Sequence, residues 1–570
     1  MKRLLWWAVV LGTTLGALLF VSMPSARLVL PNAADDGTVP GILHIHTNRS
    51  DGSGTPDEIA AAAARTGLKF LVFTDHGDAT RTPDPPVYRS GVLCIDAVEI
   101  STAAGHYVAL GLPAAPYPLA GEPRDVVEDV RRLGGFGIAA HPDSPKDGLR
   151  WGDWNALIDG MEIINPDTSW RARVVQPGLG SKFGLLAALG TYPFRPEETI
   201  ASLLGEPAGL VDRWDSLIAR RAIVGIAGVD AHAKLAPFDA EPGDNRYSLP
   251  IPSYEAAFRT LSVHVRPDRP FAGDAGADAG ALLTGIRQGH LYTAVDAIAS
   301  PASFEFTAAT SSRSAQQGGE LAATEGPITL RVKSNAPPSF TTTIRQGSLV
   351  LTTDRHEQEF ALAVPPGAAA YRVEIHASDR PGQPLWIVSN PIYVRGPETL
   401  DARPAPPPIE GGQLFPEDPF GWTVEHDPRS TAELEVTRGG SGDEMRFGFS
   451  LATEDPRVRP SAAIAAAPRA LRQNDGLALI VRAERPMRLS VQLRASMDGS
   501  PEERWQRSVY VDSTEHLVTV RFDDMTPLGV TRTARPPLDA SPTVVLAVDT
   551  TNAKGGSSGQ VFVKRVALFR

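Results

Sequence analysis

The stretch L-H-I-H-T-N-R-S-D-G at residues 43–52 sets the pattern for the first half of this 570-residue chain. It overlaps a short apolar segment, residues 41–46, that predicts a β-strand. Because side chains alternate between the two faces of a strand, His44 and His46 are expected to point to the same side. Two neutral imidazoles placed in this way could bind one metal ion together.

The residues that follow predict an alternation of helices and strands. T-P-D-E at 55–58 is typical of a helix start, because threonine can cap it, proline suits its first position and glutamate completes a capping box. A second strand is predicted at 70–74, directly before Asp75 and His76. The same order of helix and then strand is predicted twice more, with helices at 124–133 and 217–221 and strands at 137–140 and 223–227. This is the rhythm of a βα barrel, in which residues after neighbouring parallel strands converge at one end.

Six of the twelve histidines lie before residue 233, each in a short motif with a carboxylate or a turn. The candidate metal ligands are His44, His46, His76, His106, His141 and His232, together with Asp51, Glu99 and Asp230. Imidazole and carboxylate are the usual protein ligands of catalytic divalent metals. A set of this size predicts more than one ion, and therefore hydrolysis. Glu99 is the natural bridge, because a carboxylate can bind two ions and a neutral imidazole cannot.

Single motifs also have simpler explanations. A histidine before proline, such as His141, is typical of a turn, and Asp51 in S-D-G is a common turn former. Asp75 is expected to support the ligands or cap a helix. The shared position of the motifs at predicted strand ends favours a metal centre over these separate local explanations.

Composition limits the class of protein. Hydrophobic residues make up 42% and charged residues 21%, which is ordinary for a soluble globular protein. The net charge of −11 argues against nucleic acid as a partner, because phosphate backbones require clustered lysine and arginine. A small anionic substrate remains compatible, since bound metals would dominate the local field. The single cysteine, Cys94, lies in an apolar stretch and is expected to be a buried structural thiol.

The N-terminal segment, residues 1–26, predicts export. Lys2 and Arg3 precede an apolar run from residue 4 to residue 21, and small residues follow at 24–26. This pattern fits either a signal peptide or an uncleaved membrane anchor. Both place the remainder of the chain outside the cytoplasm, in a periplasmic or secreted location, with membrane contact only through this segment.

After residue 300 the hydrophobic pattern changes from helical periodicity to the alternation typical of short β-strands. Residues 301–397 predict a β-sandwich, 398–420 a proline-rich linker, and 421–570 a jelly-roll-like β module. Many such modules bind carbohydrate through exposed aromatic side chains. Trp422 and Trp505 are candidates for a glycan contact, although tryptophan in a β module more often packs in the core.

The order of motifs resembles the PHP (polymerase and histidinol phosphatase) superfamily. H-x-H-x-x-x-x-D-G is followed by T-D-H, by glutamate with histidine seven residues later, by H-P and by D-x-H. The resemblance implies a distorted (β/α)7 barrel over residues 40–300 that holds two or three divalent ions, variously manganese, iron or zinc. W-I-V-S-N-P-I-Y-V at 386–394 resembles the carbaryl-hydrolase-like branch, in which a β-sandwich follows the barrel.

The resemblance also implies how the ligands are shared among the ions. The first ion would be held by His44, His46, Glu99 and Asp230. The second would be held by Glu99, His106 and His141, and the third by Asp51, His76 and His232. Among these residues, Glu99, Asp230 and His232 are expected to serve catalysis most directly.

The leading functional hypothesis is a metal-dependent phosphoesterase, in which a hydroxide bridging two ions attacks phosphorus. Hydrolysis of a carboxyl or carbamate ester at the same centre is the close alternative, because both reactions need the same nucleophile. A cell-surface glycan-binding protein with a non-catalytic barrel is a third hypothesis.

Overall fold

The computed structural model describes residues 2–31, 35–205, 208–235, 246, 248–323, 326–396, 412–415, 421–438, 443–453, 459–467, 471–496, 501–540 and 542–570. The chain divides into two compact units. The first consists of Met1–Gly77, Thr82–Pro113 and Val130–Leu400, and the second of Asp78–Arg81, Ala114–Asp129 and Asp401–Arg570.

Helices and strands alternate up to about residue 300. The helices are α1 (Lys2–Val21), α2 (Pro56–Thr66), α3 (Pro123–Arg132), α4 (Pro166–Val175), α5 (Leu179–Thr191), α6 (Pro196–Leu203), α7 (Ala208–Ile218), α8 (Tyr254–Thr260) and α9 (Ala275–Arg287). The strands are β1 (Leu28–Val29), β2 (Val39–Ile45), β3 (Phe70–Phe73), β4 (Val87–Arg89), β5 (Val92–Asp96), β6 (Val98–Thr102), β7 (Gly105–Leu110), β8 (Phe136–Ala140), β9 (Gly160–Ile164), β10 (Val224–Ala227), β11 (Ser262–Val265), β12 (Leu291–Ala294) and β13 (Ala299–Ser300).

In the described residues from 304 to 396 the regular elements are strands, in line with the predicted change to β-structure. They are β14 (Phe304–Ala309), β15 (Ser314–Gln316), β16 (Glu320–Ala322), β17 (Ile328–Ser334), β18 (Thr341–Gln346), β19 (Leu349–Arg355), β20 (Glu359–Val364), β21 (Ala369–His376), β22 (Leu385–Ser389) and β23 (Ile392–Arg395).

The C-terminal part of the second unit is also built from strands. They are β24 (Gln413–Phe415), β25 (Thr423–His426), β26 (Thr431–Thr437), β27 (Glu444–Ser450), β28 (Ser461–Ala466), β29 (Gly476–Ala483), β30 (Met487–Ala495), β31 (Glu503–Val511), β32 (His516–Arg521), β33 (Thr526–Pro527), β34 (Thr543–Asp549) and β35 (Ser558–Phe569). Short 3-10 helices lie at Leu471–Gln473, Phe522–Asp524 and Leu538–Ala540.

The predicted start of α2 is confirmed in detail. Thr55 accepts a hydrogen bond from the Glu58 backbone, and the Glu58 carboxylate accepts one from the Thr55 backbone, so both halves of the capping box are formed. Gly67 ends the helix with a φ of 84°, a conformation that favours glycine. The helix predicted at 217–221 is misplaced, because α7 ends at Ile218.

Seven strand segments of the first unit are neighbours in a ring. β2 pairs with β3, β3 with β5, β6 with β7, β7 with β8, β8 with β9, and β9 with β10. Only Ala97 separates β5 from β6, so these two act as one segment. The ring closes where Ala231 forms a parallel bridge with Ile45 and the His46 backbone donates to the Ala231 carbonyl over 3.0 Å.

One strand of the ring runs in the opposite direction. β7 is antiparallel to both β6 and β8, whereas the other neighbouring pairs are parallel. The start of β7 therefore lies at the same edge as the ends of the parallel strands. The sequence predicted ligands just past strand ends, and this was wrong for His106, which is the second residue of β7.

The strands after residue 300 continue the sheet of the barrel region. β22 pairs with β12 on the other side of the predicted boundary, and Tyr292 is opposite Ser389. A separate four-stranded sheet has the order β15-β14-β17-β20. Within the quoted motif at 386–394, the Asn390 side chain accepts from the Gly225 backbone over 2.9 Å and donates back to its carbonyl over 2.8 Å. This motif therefore joins the β-rich part to strand β10 by hydrogen bonds. The domain limits 40–300 and 301–397 stay predictions.

The second unit contains two six-stranded sheets that share one hydrophobic core. Trp505 belongs to that core: it is fully buried, and its indole donates to the Thr533 carbonyl over 3.0 Å. It cannot stack on a glycan, which corrects one of the two candidates. Most of the predicted linker 398–420 lies outside the described residues, although β24 occupies part of it. The jelly-roll topology of 421–570 stays a prediction.

The N-terminal segment begins with α1 and continues to β1, which pairs in parallel with β13. Among the residues that the structure describes, no helix combines the length and the hydropathy needed to cross a membrane. The single thiol, Cys94, is buried in β5 as predicted, and burial raises its pKa to about 11.

Candidate metal centre

The structure brings all nine predicted ligands together at one edge of the strand ring. Their ligand atoms form four overlapping groups, and within each group the atoms lie within 4.8 Å of one another. The groups are His46, Asp51, His76 and His232; His44, Glu99 and His141; His44, His46 and Asp230; and His76, Glu99 and His106. Because the groups share members, the arrangement suits neighbouring ions rather than one isolated ion.

Glu99 lies at the centre of this cluster and is 1% exposed. Its Oε1 contacts two imidazoles, His106 Nδ1 at 2.8 Å and His141 Nε2 at 2.9 Å. Its Oε2 contacts three others, His44 Nε2 at 3.3 Å, His46 Nε2 at 3.2 Å and His76 Nδ1 at 3.3 Å. Since each oxygen faces a different set of histidines, Glu99 is placed as a bridging ligand would be.

Four ligand atoms surround the position expected for the first ion. His44 Nε2 and His46 Nε2 are each 3.3 Å from Asp230 Oδ1, and they are 3.3 and 3.2 Å from Glu99 Oε2. Tetrahedral ligands with metal bonds of about 2.0–2.1 Å are separated by about 3.3 Å, so the spacing fits a bound divalent ion. Both Nε2 atoms are buried without a hydrogen-bond partner, which is costly unless a ligand satisfies them.

The side of the cluster formed by Asp51, His76 and His232 is more open to solvent than the side around Glu99. Asp51 Oδ2 lies 3.5 Å from His76 Nε2 and 3.3 Å from His232 Nε2. The side chains of Asp51, His76 and His232 are 42%, 35% and 22% exposed, whereas those of His44 and Glu99 are 1% exposed. A substrate would therefore reach the cluster from the side of Asp51, His76 and His232.

The backbone is strained at three of these residues. His44, His141 and Asp230 have φ values of 65°, 29° and 53°, in the left-handed region that residues other than glycine rarely occupy. The pairing of β2 with β3 is irregular between Ile42 and Ile45, so simple strand alternation is not what brings His44 beside His46. Strain of this kind costs about 1–3 kcal/mol per residue and clusters at functional sites.

Hydrogen bonds direct the free nitrogen of three imidazoles into the cluster. Nδ1 of His44 donates to Glu162 Oε1 over 2.5 Å, Nδ1 of His141 to the Leu149 carbonyl over 3.1 Å, and Nδ1 of His232 to the Asp230 carbonyl over 2.9 Å. In the neutral form of each imidazole, this bond places the proton on Nδ1 and leaves Nε2 facing the other ligands, which is the tautomer that binds metal.

Sequence reasoning missed Glu162, which supports two ligands at once. Its Oε2 accepts from the His141 backbone over 2.7 Å and from Asn165 Nδ2 over 2.8 Å. Gly228 leaves room for this carboxylate, because a Cβ there would lie 1.8 Å from Oε1. One signal was present in the sequence, since Glu162 is the single charged residue of an otherwise apolar strand, β9.

Asp75 and Tyr254 hold the loop that carries Asp51. Asp75 accepts from the Thr47 backbone over 2.8 Å and from Ser50 Oγ over 2.6 Å, in line with its predicted supporting position. The Tyr254 hydroxyl donates to the His46 carbonyl over 2.8 Å, and nothing in the sequence indicated this contact.

The grouping differs in one respect from the predicted sharing of ligands. His106 and His141, both assigned to the second ion, fall in separate groups, although both contact Glu99 Oε1. The roles of the nine residues as ligands of particular ions therefore stay predictions.

Without bound metal, the electrostatics favour ionised Glu99 and Asp230 and protonated His46 and His141. Burial opposes ionisation of Glu99 and Asp230, but the surrounding histidines outweigh it and hold both pKa values well below the usual range. Burial likewise opposes protonation of His46 and His141, yet the facing carboxylates raise the pKa of His46 to about 10 and that of His141 to about 9.

The stability of protein stripped of metal by a chelator should fall as pH rises. Protonated His46 and His141 contribute stability that is fully present below their unfolded pKa of about 6.5 and lost as pH rises through about 9 and 10. We expect the Tm of stripped protein to decrease between pH 7 and pH 10 in thermal scans. Metal-loaded protein is the control and should change less, because ions replace the protons. A Tm of stripped protein that is constant or rises over this interval would contradict the expectation.

Replacing Glu162 by glutamine should weaken metal binding without removing a ligand. The carboxylate that fixes the His44 tautomer is lost, and changes of this kind typically cost about 10–100-fold in metal affinity. We expect this loss in a metal titration, with kcat recovering as metal is raised. Asp159→Asn, a change just before the same strand, is the control. An affinity equal to that of the control would show that Glu162 does not position His44.

Comparisons with known proteins give distant matches. No protein-family model matches the chain. It is 28% identical over 138 residues to an uncharacterised protein of Methanocaldococcus jannaschii, covering 22% of this chain and 80% of that protein. It is 32% identical over 128 residues to a 3',5'-nucleoside bisphosphate phosphatase of Chromobacterium violaceum, covering 20% of this chain and 45% of the phosphatase. The chain thus matches less than half the length of the phosphatase.

A solved structure is similar over a longer stretch. It is a two-domain protein from Bacteroides vulgatus containing a predicted PHP-like metal-dependent phosphoesterase, with 14% identity and a TM-score of 0.28. The match covers 65% of this chain and 99% of that one. Because the TM-score of this match is 0.28 and the phosphatase is matched over 45% of its length, the PHP superfamily and its carbaryl-hydrolase-like branch both stay predictions.

Proposed function

We propose that this chain is a metal-dependent phosphoesterase of the PHP type. The observation that carries the proposal is the convergence of six histidines and three carboxylates around the two oxygens of Glu99. The similarity to a bisphosphate phosphatase supports phosphoester chemistry. In this proposal the strand ring is the distorted (β/α)7 barrel of that superfamily.

Two or three divalent ions, manganese, iron or zinc, are the proposed cofactors. Nitrogen and oxygen ligands without a thiolate suit all three metals. When bound, the ions supply a water of lowered pKa and stabilise negative charge on the phosphoryl group. Glu99 and Asp230 would bind ions on the buried side of the cluster. His232 would bind at the exposed edge, where the substrate enters.

Arg171 of α4 is the proposed partner of the substrate anion. Burial opposes its charge, but Asp167 outweighs that effect, and Asp230 and Asp51 are near enough to raise the pKa of Arg171 further. Because the charges of two predicted metal ligands act on Arg171, we propose that its guanidinium binds a phosphoryl oxygen of the substrate.

A substrate panel tests the proposed reaction. Full-length protein loaded separately with manganese, iron or zinc would be assayed with p-nitrophenyl phosphate, bis(p-nitrophenyl) phosphate and p-nitrophenyl acetate. We expect turnover of a phosphoester that is lost in the Glu99→Gln variant. Turnover of the carboxyl ester alone would overturn the proposal in favour of carboxyl or carbamate ester hydrolysis. Absence of all turnover, with less than one ion bound per chain, would favour the glycan-binding alternative.

Glycan binding by the C-terminal module is a separate proposal. A cleft of about 530 Å³ in the second unit is lined by charged side chains that include Glu425, Arg494 and Glu503. Charged and amide groups of this kind can bind sugar hydroxyls. Trp422 is partly buried against the core and bonded to the Leu414 carbonyl, so it contributes little stacking surface.

The proposed location is extracytoplasmic, supported by Lys2 and Arg3 before the apolar run at the N-terminus. The proposed partner of the metal centre is a small phosphoester, and nucleic acid is disfavoured by the net charge of −11.

A further inference from the structure

Helix α5 presents an apolar stripe to solvent. Leu179, Phe183 and Leu186 are 76%, 65% and 63% exposed, and their spacing places them on one face of the helix. Only Ala188 and Thr191 of this helix are buried. The helices of soluble proteins usually turn their large apolar side chains towards the core, whereas α5 is apolar on most sides and leaves these three exposed.

The surface around this stripe is also apolar. Val175, Leu189 and Phe194 are 65%, 61% and 65% exposed and lie on or beside the same helix. Within α5, Lys182 is the one ionisable side chain. Single exposed apolar residues need no explanation, but a group of six large ones marks an interaction site.

Helix α1 lies next to α5 and extends the apolar surface. The two helices touch where Leu19 meets Gly190, since a Cβ on Gly190 would lie 2.6 Å from Leu19 Cδ2. Leu18 and Phe20 of α1 are 60% and 80% exposed. Trp6 and Trp7, close to the basic residues at the start of the helix, are 58% and 63% exposed, and such aromatic side chains prefer the interface of membrane and water.

We propose that the α5 surface docks on a lipid bilayer. This surface is defined as Val175, Leu179, Phe183, Leu186, Leu189 and Phe194. A bilayer is favoured over a second copy of the chain because the surface adjoins α1, which exposes Trp6, Trp7, Leu18 and Phe20 and has two basic residues at its start. The chain then has a second membrane contact in addition to its N-terminal segment.

The docking surface is linked to the candidate metal centre by one short helix. Asn165 caps α4 by accepting from the Thr168 backbone over 2.8 Å, and its amide donates to Glu162. Residues 176–178 then separate the end of α4 from the start of α5. Docking through α5 would therefore hold the metal centre close to the membrane surface. The proposal concerns attachment and does not depend on the reaction catalysed.

A site-specific fluorescence experiment tests the docking. A polarity-sensitive fluorophore would be attached to Leu186→Cys in the full-length chain, because the native Cys94 is buried and does not compete. Leu349→Cys is the matched control, since Leu349 is a leucine that is 59% exposed elsewhere in the first unit. Vesicles of phosphatidylcholine and phosphatidylglycerol, with and without nitroxide-labelled lipid, would then be added.

We expect a blue shift at position 186 and quenching by nitroxide lipid, with neither effect at position 349. Introducing Phe183→Asp beside the label should abolish the quenching while leaving the unfolding midpoint unchanged, because Phe183 is exposed. Vesicle-bound protein whose label at 186 remains accessible to an aqueous quencher would overturn the proposal. A blue shift that depends on protein concentration and occurs without vesicles would overturn it too, in favour of contact between copies of the chain.

Discussion

Replacing Glu99 by glutamine should remove two bound ions and lower kcat by about three orders of magnitude or more. The glutamine amide is neutral and cannot replace the negative charge with which a carboxylate bridges two ions. Bound metal ions contribute several kcal/mol to hydrolysis, and each factor of ten in rate corresponds to about 1.4 kcal/mol. Both oxygens of Glu99 are engaged, Oε1 with His106 and His141 and Oε2 with His44, His46 and His76. Elemental analysis of the purified variant gives the number of ions, and the phosphoester assay gives kcat.

Asp51→Asn is the matched control for this experiment. Asp51 lies at the exposed edge, and its carboxylate contacts His46, His76 and His232 and not the buried face of Glu99. We expect this variant to lose one ion and keep the others. If Glu99→Gln also lost only one ion, Glu99 would not be a bridging ligand, and the assignment of the centre would have to change.

Replacing Arg488 by methionine should destabilise the second unit by about 3–5 kcal/mol, because removing one partner of a buried ion pair leaves uncompensated charge. Arg488 is fully buried and binds Asp129 through two nitrogens, at 2.7 and 3.0 Å. Asp125 lies 3.2 Å from the same guanidinium. Asp125 and Asp129 are 2% and 1% exposed, so water cannot replace the arginine; Arg507 stays paired with Asp125 and offsets part of the loss there. Urea unfolding, followed through the transition of the second unit, measures the loss.

Arg446→Met is the control for the arginine substitution. Arg446 pairs with Glu435 in the same unit, and their side chains are 47% and 60% exposed. Exposed pairs are worth about 0–1 kcal/mol, so this variant should unfold at nearly the wild-type urea concentration. Equal losses in the two variants would mean that the buried network contributes no more than a surface pair.

Local chemistry made much of the candidate site predictable. The types of residue in H-x-H, T-D-H and D-x-H are those that bind metals, and a capping box is recognisable within four residues. The alternation of helices and strands follows from hydrophobic periodicity, which is also local. For this reason the mixed α/β class, the start of α2 and the set of nine candidate ligands could all be stated before any contact was known.

Contacts between distant parts of the chain were not predictable in the same way. Glu162 supports His44 from 118 positions away, and Asn390 bonds to Gly225 across 165 positions. Segment Ala114–Asp129 belongs to the second unit although it precedes β8 in sequence. A side chain gives no local sign of such partners, because pairing depends on which strands become neighbours.

The sequence by itself determined which side chains can bind metal, that they follow a βα rhythm, and that the chain turns to β-structure after residue 300. The tertiary structure decided the rest. It reversed β7, so that His106 faces Glu99 from the start of a strand, and it forced His44, His141 and Asp230 into the left-handed region. It also left several large apolar side chains of α5 exposed. The reason is physical: residue type fixes what an atom can bind, whereas strand direction, backbone strain and burial are set by the whole fold.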